Sequence, residues 1–180
     1  GYIGTGTGGA NFLTTGALTS GLTVATSVGP GESNVGESGI IRWVNEGADS
    51  PITGAYPAED TAIVDPPIWF TAVPASFEVD ARLPLTNFFI SGMWHMDAQS
   101  ATAPGSPFVV HGLSTAGSRV VNFAMSPLYR ADPEREWPMV GTAAYWSSQS
   151  GAQAVAGTAL RTHTRAPEPV LVSIKKPVLP

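Results

Sequence analysis

Several residue groups have the types and spacing for chemistry. Ser114 lies in the run His111-Gly-Leu-Ser-Thr-Ala-Gly, part of a nucleophile turn, but the turn lacks a glycine two residues after the serine and no helix is expected to follow. It reads as a hairpin loop, and a triad would also need a buried acid behind a histidine. His95 and Asp97 stand two apart, on one face of a predicted strand, where His111 or His163 could add a third metal ligand. Scattered histidines of this kind are ordinarily structural, hydrogen-bonded at a sheet edge. Asp132, Glu134 and Glu136 lie near Trp137, as the paired carboxylates of sugar hydrolases lie near an aromatic platform. Adjacent acids in a loop seldom flank one bond, and Arg130 and Arg135 partly neutralise them, so a solvated charged loop is the expectation. Gly4 to Gly9 carry the glycines of a phosphate cradle without the lysine of a P-loop, and with no strand expected before them and no helix after. Trp43, Trp69, Trp94 and Trp146 fall on predicted strands and read as core, leaving Trp137 as the candidate for exposure. The expectation is a chain that is not an enzyme, with no catalytic, cofactor-binding or metal-ligating residue assigned and no cofactor.

The elements that would position these residues are short. Twenty glycines and sixteen prolines interrupt any helical pattern before it reaches three turns. Between them lie stretches rich in Val, Ile, Thr, Phe, Trp and Tyr. Strands are predicted at 17–28 (bulged at Gly21), 40–45, 68–73, 77–83, 88–96, 108–111, 119–125, 140–149, 154–165 and 170–175. Residues 77–83 give the clearest signal: Phe77, Val79, Ala81 and Leu83 alternate with Glu78, Asp80 and Arg82, which predicts a strand with one wet face. Residues 46–67 read as a long acidic loop, and the stretch Ala131-Asp-Pro-Glu-Arg-Glu-Trp-Pro as a loop with at most one helical turn. Strands without intervening helices imply an all-β fold: an antiparallel two-sheet sandwich of jelly-roll type with extended termini and long loops. The predicted organisation is a single domain over 1–180, with an N-terminal arm at 1–15, the sandwich at 16–166 and a C-terminal extension at 167–180.

Composition fits that picture. One core suffices for 180 residues. Charged residues are 13% of the chain, about half the usual share, which leaves a surface of Ser, Thr, Gly and Ala suited to burial against neighbours. The net charge of −5 is uneven. Acids dominate up to Ile90, whereas Arg161, Arg165, Lys175 and Lys176 make the C-terminal end basic, too sparsely for a dedicated nucleic-acid arm. There is no cysteine, no apolar run of roughly 18 residues and no basic-then-apolar leader, so a soluble chain without disulfides is expected.

As a whole the chain resembles the small jelly-roll capsid proteins of picorna-like viruses. The features that carry this are its length, the lack of predicted helices, the N-terminal Gly1 that a Gln/Gly cleavage would leave, the Gly/Thr-rich arm and the extension at 167–180. The resemblance implies a structural subunit of an icosahedral shell in the virion, joined to other capsid chains through sheet edges, loops and termini. It further implies that packaged nucleic acid is touched weakly through Arg161, Arg165, Lys175 and Lys176. The alternatives are a phage decoration or extracellular filament protein, or a carbohydrate-binding module using Trp137.

Overall fold

The computed structural model describes residues 2–5, 22–26, 38–65, 67–94, 100–114, 116–124, 127 and 133–149. Nine strands and one long helix appear among them: β1 (Tyr2–Thr5), β2 (Thr23–Thr26), β3 (Gly39–Asn45), β4 (Glu59–Val64), β5 (Ile68–Ala72), β6 (Phe77–Arg82), β7 (Phe89–Gly92), β8 (Pro107–Leu113), β9 (Arg119–Phe123) and α1 (Pro133–Ser148). The larger sheet runs β1-β9-β8-β6-β3-β4, with β7 paired to the Gly39 end of β3; β2 and β5 form a separate antiparallel pair.

The chain is mostly β, as expected, but the jelly-roll expectation needs correction on three points. First, the sheet is mixed: β1 runs parallel to β9, with Tyr2 opposite Val120 and Thr5 opposite Phe123, while the other pairings are antiparallel. This part of the predicted arm is therefore a strand of the chain's own sheet. Tyr2 and Ile3 supply the apolar contacts that hold it there.

Second, α1 occupies the stretch read as a loop and then a strand at 140–149. Pro133 stands at the first helical position, where its missing N–H costs nothing and its fixed φ suits the helix. Met139 and Ala143 then recur at helical spacing on a buried stripe, with half-buried Trp146 three residues on. Pro138 interrupts the ladder, and the next N–H, that of Met139, donates to the Tyr56 hydroxyl at 3.0 Å. Third, the acidic loop contains β4, an edge strand whose inner positions Ala62 and Val64 are buried. Its charged end, with Glu59 paired to Arg42 at 2.9 Å, blunts the exposed edge.

The core combines Trp43, Trp69, Phe70, Phe108 and Phe123, each with under 2% exposure. At about 1.5–3 kcal/mol for each fully buried large side chain, these residues dominate the stabilisation. Trp69 stacks on Trp94 with ring centres 5.5 Å apart, and its indole N–H donates to the Thr102 hydroxyl at 2.9 Å. Helix α1 packs against β9 and β1. The predicted strands at 154–165 and 170–175, and the extension at 167–180, lie outside the described residues. Among the described residues no helix is long and apolar enough to cross a membrane.

Candidate functional site

Strands β6 and β8 pair with Glu78 opposite His111 and Val79 opposite Val110, and the register then slips, so that Ala81 faces Val109. Asp80 falls in this slip. A bulge leaves its extra residue out of strict alternation. Asp80 therefore turns inward, to 1% exposure, where simple alternation predicts a wet side chain. Its carboxylate meets the His111 ring, with Nδ1 lying 2.8 Å from Oδ1 and 2.9 Å from Oδ2. Because a carboxylate only accepts, the ring proton sits on Nδ1.

A third group joins from the segment after β3. The Ser50 hydroxyl donates to Asp80 Oδ1 and accepts from the backbone N–H groups of Ile52 (3.0 Å) and Thr53 (2.9 Å). Ser50-Pro51 is a cap-and-turn pair, with the hydroxyl meeting the free N–H groups of the turn and proline pre-set for its first position. The Asp80 carbonyl in turn accepts from the Glu46 N–H (2.9 Å) and the Thr53 hydroxyl (3.1 Å). Asn45 completes the seam, its amide donating to Thr53 O at 2.9 Å.

The outer nitrogen of His111 lies toward the exposed Glu78 carboxylate. Nε2 lies 3.7 Å from Glu78 Oε2, and the Glu78 side chain is 82% exposed. Trp146 of α1 meets the imidazole edge-on at 4.8 Å, and Arg119 lies 4.7 Å above the Trp146 ring while donating to the Trp146 carbonyl at 2.9 Å. Arg119 thus caps the end of α1, where cations are favoured.

A buried carboxylate fixing Nδ1–H of a histidine is the arrangement that orients an imidazole for acid–base work or for ligation through Nε2. Here Ser50 sits on the far side of Asp80, so the cluster is not a nucleophile–histidine–acid series. Ser114, the serine singled out from the sequence, is buried and closes the β8–β9 hairpin: its hydroxyl accepts from the Ser118 N–H at 3.0 Å. That agrees with the hairpin reading.

His95, Asp97, His163, Arg130 and Asp132 lie outside the described residues. Glu134, Arg135, Glu136 and Trp137 lie on α1 and not in a loop. Gly4 and Thr5 end strand β1, where the sequence predicts no strand, and residues 6–9 are outside the description. Among the described residues no set of three or more His, Cys, Asp or Glu side chains is placed to hold a metal ion.

A second feature adjoins the other end of β6. Val44, Leu83, Pro84 and Leu85 line an open groove of about 410 Å³ together with Glu46, Arg82 and Gly105. Arg82 pairs with Glu46 at 3.3 Å and donates to the Gly105 carbonyl at 3.2 Å. Leu85 is 78% exposed at the rim. Gly105 has φ +75°, and a Cβ there would come within 2.8 Å of Leu85 Cδ2, so glycine serves both the turn and the close approach of the leucine.

Neither a protein-family model nor a curated protein matches the chain. Among solved structures it is similar to a candidate GMP synthase component from Thermoplasma acidophilum (16% identity, TM-score 0.46, 80% of this chain and 57% of that one). It is also similar to a candidate ThuA-like protein from Bacteroides uniformis (12% identity, TM-score 0.46, 84% of this chain and 60% of that one). The chain thus spans less than two thirds of either structure's length. At this level the likeness lends it neither an activity nor a fold family. The expectation of a virus-shell building block is nonetheless corrected here. The parallel β1–β9 pair and α1 depart from the jelly roll on which that expectation rested. The basic residues Arg161, Arg165, Lys175 and Lys176, assigned to packaged nucleic acid, lie outside the described residues.

Proposed function

We propose that this chain is a binding domain, not a catalyst, and that the groove beside Leu85 takes an extended, uncharged, apolar segment of a partner polypeptide. The observation that carries the reading is the groove itself: an apolar trough with a leucine 78% exposed at its rim and its one cation already paired to Glu46. A charge-balanced wall offers no net attraction to an ionic ligand. An open trough also cannot enclose most of a small molecule, as ligand pockets do, whereas it can accept side chains from a strand or loop laid along it.

The test is a titration of isotopically labelled protein with a short, capped, uncharged leucine–valine peptide, followed by amide chemical shifts. Saturable shifts at Val44, Leu83, Leu85 and Gly105 are expected, and Leu85→Asp should remove them without altering the fold, since that side chain is mostly exposed. Absence of saturable shifts, or shifts centred on His111 and Glu78, would overturn the proposal.

A further inference from the structure

We infer that His111 Nε2 and Glu78 form a surface site for a divalent first-row transition metal, with Asp80 as its positioning residue. The argument begins with the tautomer. Asp80 receives the Nδ1 proton in two contacts of 2.8 and 2.9 Å, which leaves the in-plane lone pair of the neutral ring on Nε2. Metal-bound histidines are held in this way, the second nitrogen donating to a carboxylate that fixes both ring orientation and tautomer. Asp80 is itself held by Ser50 and is 1% exposed, so the imidazole is oriented before any ligand arrives.

Glu78 supplies the second donor. It is the cross-strand partner of His111, and its Oε2 lies 3.7 Å from Nε2. A tetrahedral ion with metal–ligand bonds near 2.0–2.1 Å places its donors about 3.4 Å apart. The carboxylate therefore has a few tenths of an ångström to travel, and at 82% exposure it is free to do so. Two protein donors leave the remaining positions to water. An imidazole with one carboxylate suits Zn²⁺, Ni²⁺ or Cu²⁺; Ca²⁺ and Mg²⁺ prefer oxygen alone. Among the described residues no three-donor set forms, and the second acid, Asp80, is already engaged by Nδ1.

The test is calorimetric titration with Zn²⁺ alone, on the full chain and on a His95→Ala/His163→Ala background that removes the other two histidines. One saturable site is expected in both, lost in His111→Gln and weakened roughly 10-fold or more in Glu78→Gln. Asp80→Asn should weaken it by about 10–100-fold, the usual effect of losing a ligand's orienting partner. A histidine binding metal casually has no such dependence on the acid behind it. Should Asp80→Asn fail to fold, imidazole ¹⁵N shifts of the unsubstituted protein decide: Zn²⁺ should move Nε2 of His111 while Nδ1 keeps its proton. Binding that survives His111→Gln, disappears in the double-histidine background, ignores Asp80→Asn in a folded variant, or leaves the Nε2 resonance unmoved would overturn the inference.

Discussion

Replacing Asp80 by alanine should cost far more stability than any surface change. The side chain is 1% exposed and accepts from His111 Nδ1 at 2.8 and 2.9 Å and from the Ser50 hydroxyl. Alanine takes from the buried His111 ring the acceptor of its Nδ1–H, at about 1–3 kcal/mol, and removing one member of a buried hydrogen-bonded pair costs roughly 3–5 kcal/mol in comparable systems. We expect a loss of about 3–5 kcal/mol, a large share of the roughly 5–15 kcal/mol that keeps a typical domain folded. Urea unfolding followed by far-ultraviolet dichroism measures it. With a slope near 2 kcal/mol/M the midpoint should fall by about 1.5–2.5 M. Asp80→Asn, which keeps the shape and one acceptor oxygen, should lose less. The Asp80→Ala/His111→Ala pair should lose clearly less than the sum of the single changes, because the second removal strands nothing new. A loss below about 1 kcal/mol for Asp80→Ala, or strict additivity with His111→Ala, would refute the idea that this pair is a coupled, buried unit.

Further outcomes follow from the same structure. Gly112→Ala should destabilise by about 1–3 kcal/mol in the same urea assay, because a Cβ there would lie 2.4 Å from the Ser76 carbonyl oxygen and 2.7 Å from the Phe77 ring. Arg119→Lys should lower the melting temperature although the charge is kept, since the guanidinium both covers Trp146 at 4.7 Å and bonds its carbonyl at 2.9 Å. Burial raises the Tyr2 phenol above its ordinary value of 10.0. The folded state thus favours the neutral phenol, so its contribution is intact below pH 10.0 and is lost as pH rises through the folded-state value. Tyr2→Phe should flatten the alkaline limb of melting temperature against pH, and an unchanged limb would count against it.

The strands legible in the sequence are those whose residue types, not their alternation, mark them as pleated. Predicted strands at 40–45, 68–73 and 119–125 overlay β3, β5 and β9 because each joins β-branched or aromatic residues between clear breaks. Three features are not legible, each for a physical reason. Strand β4 is hidden because an edge strand needs few apolar residues, and Glu59, Asp60 and Thr61 read as loop. Helix α1 is hidden because Val140, Thr142, Tyr145 and Trp146 favour strands in isolation, while packing of Met139 and Ala143 onto the sheet decides otherwise. The parallel β1–β9 pair is a long-range contact with no local signature. The site is less legible still: the sequence offers Ser114 as a nucleophile to be weighed and His111 only as a third ligand, whereas alternation assigns Asp80 to solvent.

That last assignment fails at a single backbone event. Hydropathy alternation assumes that each residue adds one step to the ladder, and the β6–β8 pair breaks the assumption twice: Asp80 is the extra residue on β6 between Val79 and Ala81, and Phe108 is the extra residue on β8 opposite the Ala81–Arg82 step. The first slip drops Asp80 onto His111 and lets the Ser50 turn close over it. The second sets Arg82 opposite Pro107, where it can reach both Glu46 and the Gly105 carbonyl at the wall of the groove. Both the interior His–Asp pair and the open groove are thus products of one irregular strand pairing, β6 with β8. Because bulges re-aim side chains where a regular strand would repeat them, a change that restored an unbroken β6–β8 register would disturb both features together while leaving the rest of the sheet paired.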